Sequence, residues 1–141
     1  MIVCIDTNVL VQASKAGHPL AVIFSAWLQR RFVWAVSNAI LAEYEELLTQ
    51  RSGRERWRQF SRVLDLAETR GDLLLKVQPD FRFHIIPNDP DDNHFTDCAI
   101  TAHADYVITS DRDFAPLANA GYKPQPISPE EFIRQYLTGT A

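Results

Sequence analysis

Met1-Ile2-Val3-Cys4-Ile5-Asp6-Thr7-Asn8 opens the chain, and its reading decides the fold. Five residues without a charged side chain, near-continuously apolar, describe a strand buried on both faces, as in a parallel sheet. Asp6 follows at once, and Asp6-Thr7-Asn8 turns into a short helix through Val9 and Leu10. An acid just past the C-terminal end of a buried parallel strand stands where α/β folds place their chemistry. A second apolar run, Tyr106-Val107-Ile108-Thr109, is likewise followed by acids, Asp111 and Asp113.

Between these two runs the pattern alternates. Lys15-Ala16-Gly17-His18-Pro19 breaks the first helix, and Leu20 to Arg31 has a helical apolar period at positions 20, 23, 24, 27 and 28. Phe32 to Val36 reads as a second strand. Ser37 is a good N-cap for the next helix, whose apolar stripe is Ile40, Leu41, Tyr44, Leu47 and Leu48. Glu43 lies about 40° from Leu47 around that helix and Glu45 borders the opposite edge, so spacing alone does not choose between them. Gly53 marks a turn, and residues 55–70 form a further helix with Trp57, Phe60, Val63, Leu64 and Ala67 inward, ended by Gly71. Leu73-Leu74-Leu75 reads equally as a helix end or a strand start, and Phe81 to Ile86 as extended chain. After the loop Pro87-Asn88-Asp89-Pro90, Asp91 or Asp92 caps a helix running to Ala104. A short helix follows over Phe114 to Ala118, then a short strand over Pro124 to Ile127. Ser128-Pro129-Glu130-Glu131 is a capping box with proline at the first helical position. Strands alternating with helices predict an α/β fold, a central, mostly parallel sheet flanked by helices, with residues 1–141 forming one domain.

Composition narrows the class. The chain has 141 residues, 46 % of them apolar, which suits one globular domain with a real core. No run approaches the roughly 20 apolar residues of a membrane span. No basic start leads into a long apolar stretch, so no signal peptide is expected and the cytoplasm is the expected location. The two cysteines, Cys4 and Cys98, each lie in apolar surroundings and read as reduced, packed thiols.

Net charge is −4, so no global positive field draws a polyanion. Its distribution is more telling. Arg51, Arg54, Arg56, Arg58 and Arg62 cluster mid-chain, whereas Asp89 to Asp113 contains seven acids and only one base, Arg112. An acidic region repels phosphate unless cations occupy it. The pairing suggests a metal site with a separate arginine-rich surface for a polyanion. Hard divalent cations take oxygen ligands, and Mg²⁺ typically uses only one or two carboxylates directly. His18, His84, His94 and His103 show no paired spacing that would suit zinc. There is no Gly-rich phosphate loop and no Gly-x-Ser-x-Gly elbow. Taken singly, Asp6, Asp89, Asp91, Asp92, Asp111 and Asp113 also read as cap or turn residues, and Glu43 as a half-exposed helix residue. Asp97 shares a helix face with Asn93 and is rotated about 140° from Asp92, so both reach one site only if Asp92 sits at the non-helical start.

Four ordered segments carry a family resemblance across essentially the whole chain: Ile5-Asp6-Thr7-Asn8-Val9-Leu10, Val36-Ser37-Asn38-Ala39-Ile40-Leu41-Ala42-Glu43-Tyr44, Asp89-Pro90-Asp91-Asp92-Asn93-His94-Phe95-Thr96-Asp97-Cys98-Ala99 and Ala104-Asp105-Tyr106-Val107-Ile108-Thr109-Ser110-Asp111-Arg112-Asp113-Phe114. The tail Ile127-Ser128-Pro129-Glu130-Glu131-Phe132 fits as well. The set resembles the PIN-domain proteins, and within them the VapC-like toxins of type II toxin–antitoxin systems. The resemblance selects Glu43 over Glu45. It implies a ribonuclease dependent on Mg²⁺ or Mn²⁺ that hydrolyses RNA in line and leaves a 5′-phosphate. Asp6 would be the central metal ligand, with Asp92 and Asp111 completing the site. Glu43 would orient the water or serve a second ion. Asp97 and Asp113 would be auxiliary acids, and Asn8 and Thr109 would hydrogen-bond the ligands. Asp92 is preferred to Asp97 as third acid because a helix start leaves it free to face the strand ends. The resemblance also implies a small antitoxin protein as partner, and homodimers are common among such proteins; the arginine cluster, Arg51, Arg54, Arg56, Arg58 and Arg62, is then the candidate surface for RNA or that partner.

Three rival readings compete. A PIN scaffold without catalysis would act as an RNA- or protein-binding module. A haloacid-dehalogenase-type phosphatase wants a second Asp two residues after the first, where this chain has Asn8. A structure-specific DNA nuclease needs additions for which 141 residues leave no room.

Overall fold

The computed structural model describes residues 1–79, 93–119 and 123–138. The expected extended segment Phe81 to Ile86, the loop 87–90 and the candidate cap residues Asp91 and Asp92 lie outside them.

Five strands form one all-parallel sheet in the order β3-β2-β1-β4-β5. They are β1 (Ile2–Ile5), β2 (Val33–Val36), β3 (Leu74–Lys76), β4 (Tyr106–Ile108) and β5 (Gln125–Ile127). The helices are α1 (Thr7–Ala13), α2 (Val22–Leu28), α3 (Asn38–Ser52), α4 (Arg54–Arg70), α5 (Asn93–Thr101), α6 (Ala115–Asn119) and α7 (Pro129–Phe132), which runs on into a π-helical turn, Ile133–Leu137. The chain lays β2 and β3 on one side of β1, then crosses back to place β4 and β5 on the other. Strand order therefore reverses between β1 and β4. The crevice at the C-terminal ends of two such strands is where open α/β sheets bind ligands.

The apolar runs explain the sheet. Val3, Cys4, Ile5, Trp34, Ala35, Val36, Val107 and Ile108 are all buried, as strands covered on both faces must be. Among the described residues β3 and β5 are the edge strands and carry the marks of edges: Lys76 on β3, and Pro126 on β5, whose missing N–H is harmless where only one neighbour pairs. On the β2 side an aromatic cluster fills the space under the helices. Trp27 meets Trp34 edge-on at 5.0 Å, Phe24 and Phe60 pack against Trp34, and Trp27 Nε1 donates to the Leu73 carbonyl at 2.7 Å. Cys4 and Cys98 are free and buried with their sulfurs 3.7 Å apart, tying α5 to β1. The Cys98 contact and burial push the Cys4 thiol well above its ordinary range, so it is no nucleophile.

Several local expectations are corrected. The stretch Leu20 to Arg31 is a 3₁₀ turn, Pro19–Ala21, followed by α2, which stops at Leu28. Arg30 adopts a left-handed backbone (φ 64°), and the Arg30 and Arg31 amides close the end on Trp27 and Ala26. Leu28, on the predicted stripe, is 55 % exposed. In α4, Phe60, Leu64 and Ala67 are buried but Val63 is 38 % exposed, because it sits about 60° around the helix from Phe60. The ambiguous leucine run is a strand: Gly71, left-handed at φ 79°, ends α4 and lets the chain drop into the sheet. α5 ends at Thr101, before the expected Ala104. Ser128 caps α7 through the Glu131 amide at 3.1 Å, but the Glu131 carboxylate turns to Arg134 and Gln135, so only half of the capping box forms.

Candidate active site

The parallel register aligns the residues that follow the strands. Val3 lies opposite Trp34, Ile5 opposite Ile108, Val36 opposite Lys76 and Ile108 opposite Ile127. Extended past the strand ends, this register sets Val77, Ser37, Asp6, Thr109 and Ser128 side by side, with Asp6 in the middle. The ladder itself continues into this row, because the Asp6 amide donates to the Ile108 carbonyl and the Thr109 amide to the Ile127 carbonyl, both at 2.9 Å.

Asp6 is 4 % exposed. It occupies the N-cap position of α1 but makes no side-chain cap bond. Its Oδ2 instead accepts from Thr109 Oγ1 at 2.8 Å. Burial pushes the Asp6 carboxyl from 3.8 up to about 6, against the Thr109 hydroxyl and the Thr7 amide, which pull it down; the charges of Asp111 and Glu43 push it further up. Carboxylates from β1, α3 and the turn after β4 thus bear on one point.

Threonine hydroxyls organise these carboxylates. Thr109 Oγ1 also accepts from the Asp111 amide at 3.0 Å, fixing the turn that carries Asp111. Asp111 Oδ1 in turn accepts from the Asp113 amide at 2.9 Å, capping the 3₁₀ turn Arg112–Phe114. Thr7, fully inside the fold, donates its hydroxyl to Glu43 Oε2. Glu43 is half-buried whereas Glu45 is exposed, and Tyr44 beside it donates its hydroxyl to the carbonyl of Ile5, the residue before Asp6. One helical segment therefore locks α3 to the end of β1 and presents Glu43 to the same corner.

The remaining expected residues fall as follows. Asp97 is buried on the inner face of α5 with Asn93, next to the Cys98–Cys4 contact. Asp92 lies outside the described residues. Asp113 is half-buried beside Asp111. Asn8, expected to hydrogen-bond the ligands, is exposed, and its Oδ1 accepts from Arg51 Nη1 at 3.1 Å. A helix start rotates successive residues by about 100°, so Thr7 faces inward and Asn8 outward.

The arginines do not form one patch. Arg54, Arg58 and Arg62 are exposed and lie within about 80° of one another on α4. Arg58 pairs loosely with Glu55 at 3.8 Å. Arg56 points the other way, half-buried, and donates to the Ser14 carbonyl at the end of α1. It braces two helices.

Sequence reasoning missed Thr7 and Tyr44. Thr7 stood in plain view between Asp6 and Asn8, and a hydroxyl at the first helical position beside an acid is the signal that marks it. Tyr44 read as core, and nothing in the local pattern announces where its hydroxyl goes.

Among the described residues, no three His, Cys, Asp or Glu side chains are grouped closely enough to cage a metal ion. Mg²⁺ does not need such a cage, since one or two carboxylates and several waters suffice. The donors gathered here are oxygens, and Asp6 is a buried carboxylate under the repulsion of two others. That donor set fits a hard divalent cation.

Acids at the strand-order reversal of a parallel sheet place this α/β protein among those that carry their site at the C-terminal strand ends. The PIN domain family profile matches residues 2–113, and the chain belongs to that family. The PIN domain is generally a nuclease fold, and PIN nucleases typically use divalent metals. Comparison with curated proteins and with solved structures finds no match to this chain in either. No helix among the described residues is long and apolar enough to cross a membrane.

Proposed function

We propose that the chain is a metal-dependent endoribonuclease and the toxin of a toxin–antitoxin pair, with Asp6, Glu43, Asp92 and Asp111 as its catalytic acids. The observation that carries this reading is the Asp6 carboxylate, held by Thr109 at the end of β1 and raised to about 6 by burial and by Asp111 and Glu43. A carboxylate so placed is unfavourable as an anion until a cation joins it. Asp6 and Asp111, with Asp92, would hold Mg²⁺ or Mn²⁺, directly or through water. The bound ion supplies neutralisation of the charge that develops on the phosphodiester. Glu43, steadied by Thr7, accepts a hydrogen bond from the attacking water and orients it. Thr109 keeps Asp6 and the Asp111 turn in register. Asp97 and Asp113 add negative charge at the margin. Strand β5 and α7 extend the same sheet and crevice beyond residue 113, which supports one domain over the whole chain.

A protein partner is supported by a second feature. A groove of about 250 Å³ between α2 and α4 is lined by Phe24, Leu28, Phe60 and Val63, with Arg56 at its wall. An apolar antitoxin segment bearing acids would match it. The competing reading is a binding scaffold without catalysis.

The test is an assay of purified protein on a mixed pool of structured and single-stranded RNA, in Mn²⁺, Mg²⁺ or EDTA, beside Asp6→Asn. Cleavage that needs metal and disappears in the variant supports the nuclease. Identical traces from both proteins mean contamination. No cleavage together with no metal binding by calorimetry leaves the scaffold.

A further inference from the structure

Beside the acids lies a cavity of about 210 Å³ whose wall includes Asn38, Val77, Gln78, Pro79, His94 and Asp97. It opens over the C-terminal ends of β2 and β3. By the register above, Ser37, which also lines it, sits one strand from Asp6, and Val77 sits two strands away. At about 4.8 Å per strand this places the cavity roughly 5–10 Å from the central acid, on the β2 side.

From these walls we infer that the cavity is a nucleobase subsite, taking a base of single-stranded RNA next to the scissile phosphate and setting sequence preference. The inference rests on the nuclease reading. Asn38 and Gln78 are exposed, and among the described residues neither carboxamide finds a hydrogen-bond partner. Each offers a donor and an acceptor in one plane, which is what the edge of a base requires. Val77 and Pro79 are half-buried and apolar, a surface for the face of a flat ring, and the exposed His94 imidazole can stack on it. Asp97 in the wall disfavours phosphate, so the occupant is a neutral polar group. The volume falls below that of pockets for drug-sized ligands, roughly 300–1,000 Å³, and suits a base rather than a whole nucleotide.

The experiment has two arms. RNA with a randomised window is cut by the wild type, Asn38→Ala, Gln78→Ala and the double variant, and the new ends are sequenced. The wild type should show a base bias at one position flanking the cut, and each variant should weaken it by about fivefold or more, the low end for loss of a bidentate base contact. Both residues are exposed and Ser37 keeps its cap, so the variants should melt like the wild type. An unchanged bias in the double variant, or an equal loss at every sequence, overturns the subsite. In the second arm Asp6→Asn, in EDTA, binds short fluorescent homopolymers of A, C, G and U, with and without the two substitutions. A preference for one base that the substitutions remove supports the subsite, and flat binding overturns it. If the wild type cuts nothing in any metal, the nuclease reading fails, and this arm still decides the subsite.

Discussion

Replacing Asp6 by Asn should stabilise the metal-free protein while destroying its activity. The folded carboxyl titrates at about 6 rather than 3.8, because it is buried and faces Asp111 and Glu43. A shift of about two pKa units corresponds to about 3 kcal/mol of native-state cost for keeping the group ionised. Asn keeps an oxygen for the Thr109 hydroxyl but brings amide hydrogens that lack matched acceptors, so a net gain of about 1–3 kcal/mol is expected at pH 8. For a chain of this size that is a rise of about 3–10 °C in Tm. The pH dependence fixes the cause. A raised carboxyl pKa favours the folded state below the unfolded value, and that advantage is lost as pH rises through about 6. The gap between variant and wild type should therefore fall by about 2–3 kcal/mol from pH 8 to pH 4. Thermal unfolding of both proteins in EDTA across that range measures it. Adding Mg²⁺ or Mn²⁺ at pH 8 should then raise the Tm of the wild type alone. An Asp6→Asn protein no more stable than the wild type in EDTA, or equally advantaged at pH 4 and pH 8, refutes the account of Asp6.

Four further outcomes follow from the same geometry. Thr7→Val should lower kcat about tenfold or more with little change in KM, because it frees Glu43 without touching the phosphate, and Thr7→Ser should restore most of the rate; steady-state kinetics on a defined RNA separates the two constants. Thr109→Val should cost about 1–3 kcal/mol, since the Asp111 amide loses its acceptor and Asp6 its donor, and should move the Asp6 titration still higher, read by denaturant unfolding against pH. Exchanging Arg54, Arg58 and Arg62 together for Ala should flatten the salt dependence of RNA binding by about 2 in log–log slope, at about 0.7 per phosphate contact on a single strand. Arg56→Ala should instead lower Tm and leave that slope alone, because its guanidinium braces α4 against the end of α1.

What was legible in the sequence followed from local rules. A run such as Ile2-Val3-Cys4-Ile5 ending in Asp6 says strand, buried, then acid at the rim, and the structure has all three. Ser37, Gly71 and Ser128 punctuated their helices as their chemistry requires. What was not legible depends on packing between distant segments. Leu28 and Val63 carry the apolar character of core positions, yet each stands where its helix edge meets solvent instead of another element. The five arginines look like one cluster along the chain, but a helix turns about 200° every two residues, so Arg56 faces away from Arg54 and Arg58. The pairings Thr7–Glu43 and Tyr44–Ile5 span more than 30 residues and leave no periodic trace.

Those two hidden pairings account for how the acidic corner can fold with no cation bound. Burial raises the Asp6 titration most, and the charges of Asp111 and Glu43 at the same corner raise it further. Left to side-chain freedom, Glu43 on a half-exposed helix face would swing to solvent. The Thr7 hydroxyl opposes this with a hydrogen bond to a charged acceptor, worth about 1.5–3 kcal/mol, of the same order as the cost at Asp6. Thr109 does the equivalent for Asp6 and Asp111, and Tyr44 fixes the backbone from which Asp6 projects. Neutral hydroxyls suit this task better than cationic partners would. A lysine or arginine paired with Asp6 would relieve the repulsion, lower its pKa and remove the electrostatic reason for a divalent ion to bind. The mid-chain arginines are engaged elsewhere: Arg51 on Asn8, Arg56 on the end of α1, and Arg54, Arg58 and Arg62 on the open face of α4.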